Sequence, residues 1–451
     1  MAWGRRSVPL DGFAHPAFAP VAATLARMLR RTPGGAAACV YHHGRCVVDV
    51  WGGYADDAGT PWSRNTMAPS FSTTKGVAST LVHIMVDRGL LDYDTRVADY
   101  WPEFAQAGKE AITVRHVLAH QSGLYHIRQI VDRAERMLDW EHMVRAIERT
   151  PPIHPPGTRT GYHGLTYGYL VGELLQRVTG RRFSALVQEE IAAPLGLDGM
   201  YIGAPADQLH RAARLVWSKR NFIELTRGAA ALRRSGAPGD VLESAARQAQ
   251  RMLDLVRVRF DLPSVLDALA PRGISAFDFS ADATLQAAIP AANGLFTARS
   301  LARMYAALAG GGTLDGVRLL SPATLARATE PQTPTRGGYL VIPFDMRWRL
   351  GYHGVFTTRG IPRQAFGHFG FGGSGAWADP RRQLAVGFIV NSGLGTPFGD
   401  LRTARISGAA LASANARRDL SPASALAAQR SGPSPTPSAA AARAARSPAD
   451  P

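Results

Sequence analysis

The chain has 451 residues, of which 46% are hydrophobic and 19% are charged, so it is long enough to bury a substantial core. Its formal net charge of +16 is carried almost entirely by arginine, because lysine occurs only at positions 75, 109 and 219. The basic residues are scattered and form no stripe with stacking aromatic side chains, which argues against nucleic-acid binding. No run of 18 apolar residues is present, which argues against a transmembrane helix.

The N-terminal residues and the cysteines indicate a reducing compartment. The opening sequence, MAWGRRSVPLDGF, contains neither the apolar segment nor the cleavage site of a secretory signal, so a cytoplasmic location is expected. The two cysteines, Cys39 and Cys46, flank a predicted turn at His43-Gly44. Two cysteines are too few for a disulfide framework, and both are expected to be free thiols.

Helices are predicted from the 3.6-residue spacing of apolar side chains and from their end signals. Gly89 and Gly180 end two of them, and Thr297 is the predicted N-cap of another. In chain order, the predicted helices lie at 21–30, at 73–88, within 112–124, as two helices within 164–193, at 242–259, at 298–308 and at about 400–412.

Strands are predicted near both ends of the chain. A β-hairpin is expected over 37–54, and Gly and Pro turns separate strands at 347–354, 364–370, 375–379 and 383–391. Terminal strands with helices between them predict an α+β fold in which the two ends share one sheet. Residues 418–451 are rich in Ser, Pro, Ala and Arg and are expected to form a disordered tail.

The segment Ser72-Thr73-Thr74-Lys75 opens the helix predicted at 73–88, which places Ser72 and Lys75 one turn apart on the same face. A serine hydroxyl needs a nearby base to act as a nucleophile, and a buried lysine can lose its proton whereas arginine cannot. The helix start favours a developing anion, and the Ser72 N–H is a candidate oxyanion donor. A chance match to Ser-x-x-Lys is the alternative explanation.

A second segment supplies a phenol. Tyr162 lies in the Pro- and Gly-rich loop 156–164, just before a predicted helix. If Lys75 lowers the pKa of this phenol, Tyr162 can take the proton of Ser72 and hand it to the leaving group. A tyrosine that only packs in a loop is the alternative. His120, in the segment 112–124, has no assigned role beyond capping local backbone.

A third segment, 367–374, is rich in glycine and lies among the C-terminal strands. Glycines such as Gly370 allow a substrate to approach the backbone, and the Phe371 N–H is a candidate second oxyanion donor. His368 is predicted to bind the substrate or to tune the Lys75–Tyr162 pair, with a half-buried structural histidine as the alternative. No metal-binding motif is present, and no metal or cofactor is expected.

These three segments, in this order, resemble the serine beta-lactamase-like superfamily, and in particular the class C-like esterases called family VIII carboxylesterases. The resemblance covers about residues 10–410. It implies Ser72 as the nucleophile, with Lys75 and Tyr162 as the base system. The flanking motifs that contribute to it are Trp51-Gly52-Gly53, Leu118-Ala119-His120-Gln121-Ser122-Gly123-Leu124, Gly172-Glu173-Leu174, Pro194-Leu195-Gly196-Leu197 and Asn293-Gly294.

The resemblance also implies a domain organisation. It predicts a beta-lactamase/transpeptidase-like fold in which an antiparallel sheet flanked by helices adjoins a helical domain, with the site in the cleft between them. The catalytic domain is expected to cover 1–417, with a sheet region at about 1–70 and 290–417 and a helical region at about 76–290.

Two departures from the beta-lactamase pattern indicate the substrate. Tyr162-His163-Gly164 replaces Tyr-x-Asn, and His368-Phe369-Gly370 replaces Lys-Thr-Gly, so an amide-binding asparagine and a carboxylate-binding lysine are both missing. We therefore expect a carboxylesterase for small acyl esters. A beta-lactamase, a D-amino-acid peptidase or an acyltransferase with the same site is the alternative, and a catalytically silent binding protein is an alternative of another class.

Overall fold

The structure is a computed structural model that describes residues 9–216, 262–342, 344–393 and 400–416. The helix predicted at 242–259 and the tail predicted at 418–451 lie outside these residues. Within the described ranges, none of the helices combines the length and apolarity needed to cross a lipid bilayer.

The strands are short in the middle of the chain and longer near its two ends. In chain order they are β1 Leu10–Ala14, β2 Gly35–His42, β3 Arg45–Gly53, β4 Ala68–Pro69, β5 Thr160–Gly161, β6 Met200–Tyr201, β7 Leu295–Phe296, β8 Thr313–Leu314, β9 Val317–Arg318, β10 Tyr339–Leu340, β11 His353–Gly354, β12 Phe366–Phe369, β13 Gly375–Asp379 and β14 Leu384–Val390.

Seven of these strands form one antiparallel sheet in the order β1-β3-β2-β14-β13-β12-β11. The hairpin β2–β3 turns at His43-Gly44, where both residues have positive φ, as the sequence predicts. Its first strand pairs with β14, so Ala38 lies opposite Phe388 near the centre of the sheet. The prediction of an α+β fold whose two chain ends share a sheet is confirmed.

The helices occupy most of the chain between these strands. They are α1 Ala19–Leu29, α2 Thr73–Asp87, α3 Val97–Tyr100, α4 Val114–Leu118, α5 Ile127–Ile130, α6 Trp140–Arg149, α7 Thr166–Thr179, α8 Phe183–Val187, α9 Leu262–Leu269, α10 Asp282–Gln286, α11 Ala298–Ala309, α12 Pro322–Ala328 and α13 Leu401–Ala416, with 3-10 turns at Pro16–Phe18, Pro102–Ala105, Ala134–Leu138, Ala206–Arg211 and Pro380–Arg382 and a π turn at Gln188–Ala192.

The sheet is covered on both faces. Helices α1 and α13 pack on one face, and α11 and α2 pack on the other. Alternate residues along β2 serve the two cores, since Ala38 and Val40 join the first and Cys39 joins the second. Every residue of α2 from 73 to 86 is buried, because the helix lies between the sheet and the helical region. The segment from Ser72 to Lys75 therefore lies at the start of a helix that is packed against other elements around its whole circumference.

Two residues begin or end a helix as the sequence predicts. The Thr297 side chain accepts a hydrogen bond from Ser300 N–H at the start of α11. Gly180, with φ of 68°, ends α7 in the left-handed conformation. The helix predicted within 112–124 is shorter, spanning Val114–Leu118.

The strand predicted at 347–354 is wrong over most of its length, because only His353–Gly354 belongs to the sheet. The preceding residues turn back, with Arg349 N–H donating to the Tyr352 carbonyl at 2.9 Å. Gly351 has φ of 75°, and its N–H donates to the Leu118 carbonyl at 2.9 Å. The backbone of this segment therefore ties the sheet to the helical region instead of extending a strand.

Cys39 and Cys46 lie on adjacent strands with their sulfur atoms 3.7 Å apart. Both are free thiols, as predicted. Cys39 is buried, and burial raises the pKa of its thiol well above the ordinary value.

Candidate active site

Ser72 lies at the start of α2, at the end of a tightly bonded loop. Phe71, immediately before it, has φ of 45°, an uncommon conformation for a phenylalanine. The Thr74 hydroxyl donates to the Phe71 carbonyl and accepts a hydrogen bond from Gly294 N–H at 2.9 Å. Ser70 N–H donates to the Gly294 carbonyl at 2.9 Å. These bonds hold the loop in the conformation that leaves the Ser72 side chain half-buried at the helix start.

Lys75 is fully buried one turn further along the helix. Its Nζ atom lies 3.0 Å from Ser72 Oγ, 2.6 Å from the Gly164 carbonyl and 3.0 Å from the Ala291 carbonyl. Among the described residues no carboxylate is paired with the amine, and burial lowers the pKa of Lys75 well below its usual range. A neutral amine donates its two hydrogens to the two carbonyls, so its lone pair faces the Ser72 hydroxyl.

Tyr162 comes from the strand-like turn that follows β5. Its N–H donates to the Leu340 carbonyl at 3.3 Å, and its ring stacks on Trp348 with centroids 5.6 Å apart. The Lys75 Nζ atom lies 5.1 Å from the centre of the ring. The Tyr162 hydroxyl is buried and has no hydrogen-bond partner of good geometry among the described residues. The structure thus brings the third predicted side chain to the Ser72–Lys75 pair with its hydroxyl unused.

The ionisation of Tyr162 is opposite to the sequence prediction. Burial raises the pKa of its phenol above the ordinary value, and the neighbouring Ser72 hydroxyl only partly opposes that rise. Lys75 is not among the groups that lower it. Tyr162 is therefore suited to donate a proton, and Lys75, whose pKa burial lowers, is the better suited of the two to accept one.

Sequence reasoning missed a group of side chains that fixes the tyrosine. His120, with φ of 59°, contacts the Tyr162 ring edge-on at 4.9 Å and the Trp348 ring at 4.8 Å. Its Nδ1 accepts a hydrogen bond from His163 N–H at 3.3 Å, and its carbonyl accepts one from Gly161 N–H at 2.9 Å. The His120 side chain therefore accepts a hydrogen bond from a backbone N–H of a distant segment, and not from the local backbone that the sequence predicted.

His163, which occupies the middle position of the beta-lactamase Tyr-x-Asn pattern, has both ring nitrogens bonded to neighbouring groups. Its Nδ1 donates to the Gly161 carbonyl at 2.6 Å, so its Nε2 must accept the hydrogen bond from Ser122 Oγ at 2.6 Å. Burial lowers the pKa of His163 to about 3, which keeps the ring neutral. His163 therefore has a structural role: it links the backbone next to Tyr162 to Ser122.

The rings of His368 and His353 contact each other close to Tyr162, with centroids 4.7 Å apart. His353 Nδ1 donates to the Gly354 carbonyl at 2.7 Å, so its Nε2 accepts from Phe369 N–H at 3.0 Å. His368 Nδ1 donates to the Phe369 carbonyl at 3.1 Å. Its Nε2 is then a buried lone pair that has no partner among the described residues.

Burial, reinforced by the neighbouring His353 ring, lowers the pKa of His368 well below its usual range. The ring at the position of the Lys-Thr-Gly lysine is therefore uncharged near neutral pH, and it offers an acceptor where that lysine offers a cation.

The segment after β12 presents backbone donors beside Ser72. Gly370 N–H donates to the Ser374 carbonyl at 2.8 Å, and Gly373 N–H donates to the Gly370 carbonyl at 3.1 Å. Arg402 donates to the Gly372 carbonyl at 2.6 Å, which fixes the turn from outside. Within the described part of the chain, the N–H groups of Ser72 and Phe371 have no backbone or side-chain acceptor. Two free donors near one nucleophile suit an oxyanion.

Gly370 is the point of closest approach between this turn and the nucleophile loop. A β-carbon at Gly370 would lie 2.3 Å from the Ser70 carbonyl oxygen and 3.1 Å from Thr73 Oγ1. Because the first contact is with backbone, Gly370→Ala must move the turn away from Ser72. We expect kcat to fall about a hundredfold, since misplacements near 1 Å cost that much.

Steady-state kinetics with a chromogenic ester measure this effect. Gly372→Ala is the comparison, because its β-carbon would meet the Phe71 ring at 3.2 Å, which can yield, and would reach backbone only at ordinary contact distance, 3.9 Å from the Ser392 carbonyl oxygen. Equal losses in the two variants would contradict the assignment of close backbone approach to Gly370.

Among the described residues, no group of three or more His, Cys, Asp or Glu side chains is arranged to hold a metal ion. The site consists of a hydroxyl, a neutral amine, a protonated phenol and free backbone N–H groups. This set is suited to acyl transfer through a serine nucleophile.

Comparison with known proteins gives the family. The beta-lactamase family model matches residues 22–411. The chain belongs to the beta-lactamase family. A relative named esterase/beta-lactamase LipL, from Mycobacterium tuberculosis, is 38% identical over 395 residues, which cover 86% of this chain and 83% of the relative.

Solved structures confirm the beta-lactamase/transpeptidase-like fold. A structure described as a family VIII carboxylesterase is 32% identical with a TM-score of 0.74, covering 90% of this chain and 100% of its own. A structure described as a penicillin-binding protein homolog from Caulobacter crescentus is 34% identical with a TM-score of 0.72 and the same coverage. The resemblance to this superfamily is confirmed.

Proposed function

We propose that this beta-lactamase family protein is a serine carboxylesterase that cleaves small acyl esters through an acyl-enzyme on Ser72. The observation that carries the proposal is the buried Lys75 amine 3.0 Å from the Ser72 hydroxyl, with a pKa that burial lowers well below its usual range. A serine so placed has its base within hydrogen-bonding reach and needs no cofactor to attack a carbonyl.

Each group has a defined step in this mechanism. As Ser72 Oγ bonds to the ester carbonyl carbon, Lys75 takes the hydroxyl proton, and the N–H groups of Ser72 and Phe371 stabilise the oxyanion. Tyr162 donates its phenolic proton to the departing alkoxide and recovers one from the Lys75 ammonium. In deacylation, water bonds to the acyl carbon as Lys75 takes its proton, and the bond from that carbon to Ser72 Oγ breaks as Tyr162 gives its proton to Oγ. The Lys75 ammonium then returns a proton to Tyr162, and the carboxylic acid leaves.

The comparisons support an ester substrate. The names of the relative and of one solved structure given above contain esterase and carboxylesterase. Neutral His368 lacks the charge that would bind a carboxylate, and Tyr162-His163-Gly164 lacks an amide side chain. A beta-lactam needs partners for both its carboxylate and its acylamide, so these positions favour an ester over a beta-lactam. The cytoplasmic location expected from the sequence stays a prediction.

Active-site labelling combined with substrate turnover tests the proposal. We expect a fluorophosphonate to add one label to Ser72, seen by mass spectrometry of the purified protein. We also expect turnover of p-nitrophenyl acetate with little or no hydrolysis of nitrocefin. Efficient nitrocefin hydrolysis without ester turnover would favour the beta-lactamase alternative, and the absence of any label at Ser72 would favour a silent binding protein.

Tyr162→Phe separates proton donation from packing. The substitution removes only a hydroxyl that has no hydrogen-bond partner among the described residues, so the thermal unfolding temperature should stay the same or rise. Loss of the proton donor should lower kcat by about two to four powers of ten.

Esters with better leaving groups should lose less in this variant, because a stable leaving anion needs no proton. A loss of kcat that is equal for p-nitrophenyl and alkyl esters would contradict the role assigned to the phenol.

A further inference from the structure

Four phenylalanine rings form a continuous row beside the nucleophile, which we call the phenylalanine row: Phe277, Phe279, Phe71 and Phe371. Neighbouring centroids are 4.9 Å apart for Phe277 and Phe279, 5.2 Å for Phe279 and Phe71, and 5.7 Å for Phe71 and Phe371. All three pairs are inclined by 58° to 76°, the edge-to-face range that aromatic rings prefer. The row reaches the residue directly before Ser72.

The row is placed as a surface that can receive a ligand. Phe71 is buried, whereas Phe277 and Phe279 are half-buried and Phe371 is 37% exposed, one of the large apolar side chains left open to solvent. Glycines at 370 and 372 leave room for the Phe71 side chain, since a β-carbon at 370 would lie 3.3 Å from the Phe71 β-carbon and one at 372 would lie 3.2 Å from the Phe71 ring. Phenylalanine side chains form no conventional hydrogen bonds, so the surface selects by shape and apolarity.

The segment that carries Phe277 and Phe279 is fixed to its neighbours. The Ser280 hydroxyl accepts a hydrogen bond from Leu215 N–H at 2.9 Å, and Arg214 pairs with Asp282 at 2.9 Å. The Arg214 guanidinium also donates to the Ser280 carbonyl. The row is therefore held in place before a ligand arrives, which reduces the entropy lost on binding.

A second, separate group of rings surrounds Tyr162. Tyr162 contacts His120, Trp348 and His368, and among the described residues no ring contact joins this group to the phenylalanine row. The leaving group of an ester must approach the Tyr162 hydroxyl, because that group supplies its proton. The acyl group then extends towards the phenylalanine row.

We propose that the phenylalanine row is the acyl-binding surface of the enzyme and that it selects esters of aryl-substituted or medium-chain carboxylic acids over acetates. This inference rests on the proposed esterase function and adds the substrate class. An acetyl group is too short to cover the rings, whereas a phenylacetyl group can place its own ring against Phe279 and Phe371.

The test compares p-nitrophenyl phenylacetate with p-nitrophenyl acetate, which share one leaving group. We expect the wild-type protein to favour the phenylacetate in kcat/KM by about tenfold or more, and Phe279→Ala to remove most of that preference by lowering phenylacetate turnover more than acetate turnover. Phe13→Ala is the matched control, since Phe13 is 41% exposed on β1, at the far edge of the sheet. It should leave both rates unchanged.

A second measurement uses inactivation in place of turnover. Ser72 displaces fluoride from phenylmethanesulfonyl fluoride and from methanesulfonyl fluoride, and only the first reagent carries a ring. We expect the wild-type protein to react faster with the ring-bearing reagent, and Phe279→Ala to lose that difference.

The outcomes distinguish the two proposals. Turnover of acetate without any acyl preference, or a preference that Phe279→Ala and Phe13→Ala leave equally intact, overturns the inference and leaves the esterase function standing. Absence of both ester turnover and Ser72 labelling overturns the esterase function itself. If Phe279→Ala does not fold, Phe279→Leu and the wild-type acyl preference decide the question.

Discussion

Ser72→Ala is expected to lower kcat/KM for p-nitrophenyl acetate by about four powers of ten or more, because the covalent route is lost as a whole. The Lys75 amine and the free N–H groups remain, but no hydroxyl is left for the amine to activate. The unfolding temperature should hardly change, since Ser72 is half-buried and its hydroxyl contacts one partner, Lys75. Active-site substitutions of this kind often preserve or raise stability.

A second serine on the same helix provides the matched control. The Ser79 hydroxyl is buried, lies 2.6 Å from Tyr167 Oη, and has the Lys75 and Gly351 carbonyl oxygens within hydrogen-bonding distance at 2.6 and 3.0 Å. Ser79→Ala should therefore lower the free energy of unfolding by about 1–3 kcal/mol while leaving turnover of the folded protein within a small factor.

The two variants are therefore expected to show opposite effects. Ser72→Ala should abolish turnover and preserve stability, whereas Ser79→Ala should reduce stability and preserve turnover. Chromogenic kinetics and thermal unfolding measured on both variants give the comparison. Turnover that survives Ser72→Ala would remove the nucleophile from the proposal.

Lys75→Met and Lys75→Arg are both expected to lower kcat/KM by about three to four powers of ten. Methionine supplies no base. Arginine keeps a positive charge, but its guanidinium does not lose a proton, and it is too large for the space bounded by Ser72, Gly164 and Ala291. Retention of activity in Lys75→Arg would show that charge, and not basicity, is what the site requires.

The matched control is the other described lysine. Lys109 is buried and donates to the carbonyls of Gln106, Glu148 and Thr150 at 2.6 to 2.9 Å. Lys109→Met therefore leaves carbonyls unpaired as Lys75→Met does, but at a site without a nucleophile. It should lower the unfolding temperature and spare kcat/KM of the folded protein.

The pH dependence follows from the same amine. Because burial places the pKa of Lys75 well below its ordinary value of 10.5, the neutral, active form is already present far below that pH. kcat/KM should rise with pH through the lowered pKa and then level off, and acid should abolish activity by protonating the amine. A rate that keeps rising up to pH 10 would contradict an uncharged Lys75.

Local sequence signals predicted much of the fold. Turn residues located the β2–β3 hairpin, and apolar spacing with Gly89 located α2 within one residue of its end. Strand β1 was missed because Asp11 and Gly12 interrupt its apolar pattern, although the strand pairs fully with β3. The strand at 347–354 was overpredicted because β-forming residues there bond to distant backbone groups, which no local pattern reveals.

The site was predicted to a similar extent. The spacing of Ser72 and Lys75 was enough to predict that their side chains lie on the same face of α2, because residues three apart are about one helical turn apart. The direction of the Tyr162 pKa was predicted incorrectly, since it depends on burial by segments far away in sequence. His120 and Trp348 share the Tyr162 ring, yet they come from separate stretches of chain and carry no common spacing. The motif that spans residues 118–124 marked His120, but no sequence signal marked Trp348.

The pairing of β2 with β14 has a consequence for synthesis. On the ribosome, residues 35–42 emerge more than three hundred positions before their partner, Leu384–Val390. Until that partner appears, the nascent hairpin exposes an unpaired edge of apolar residues, which is a site for association with other chains. Chains that stop short of residue 384 can never complete the sheet, so premature termination should yield aggregates and not a smaller enzyme.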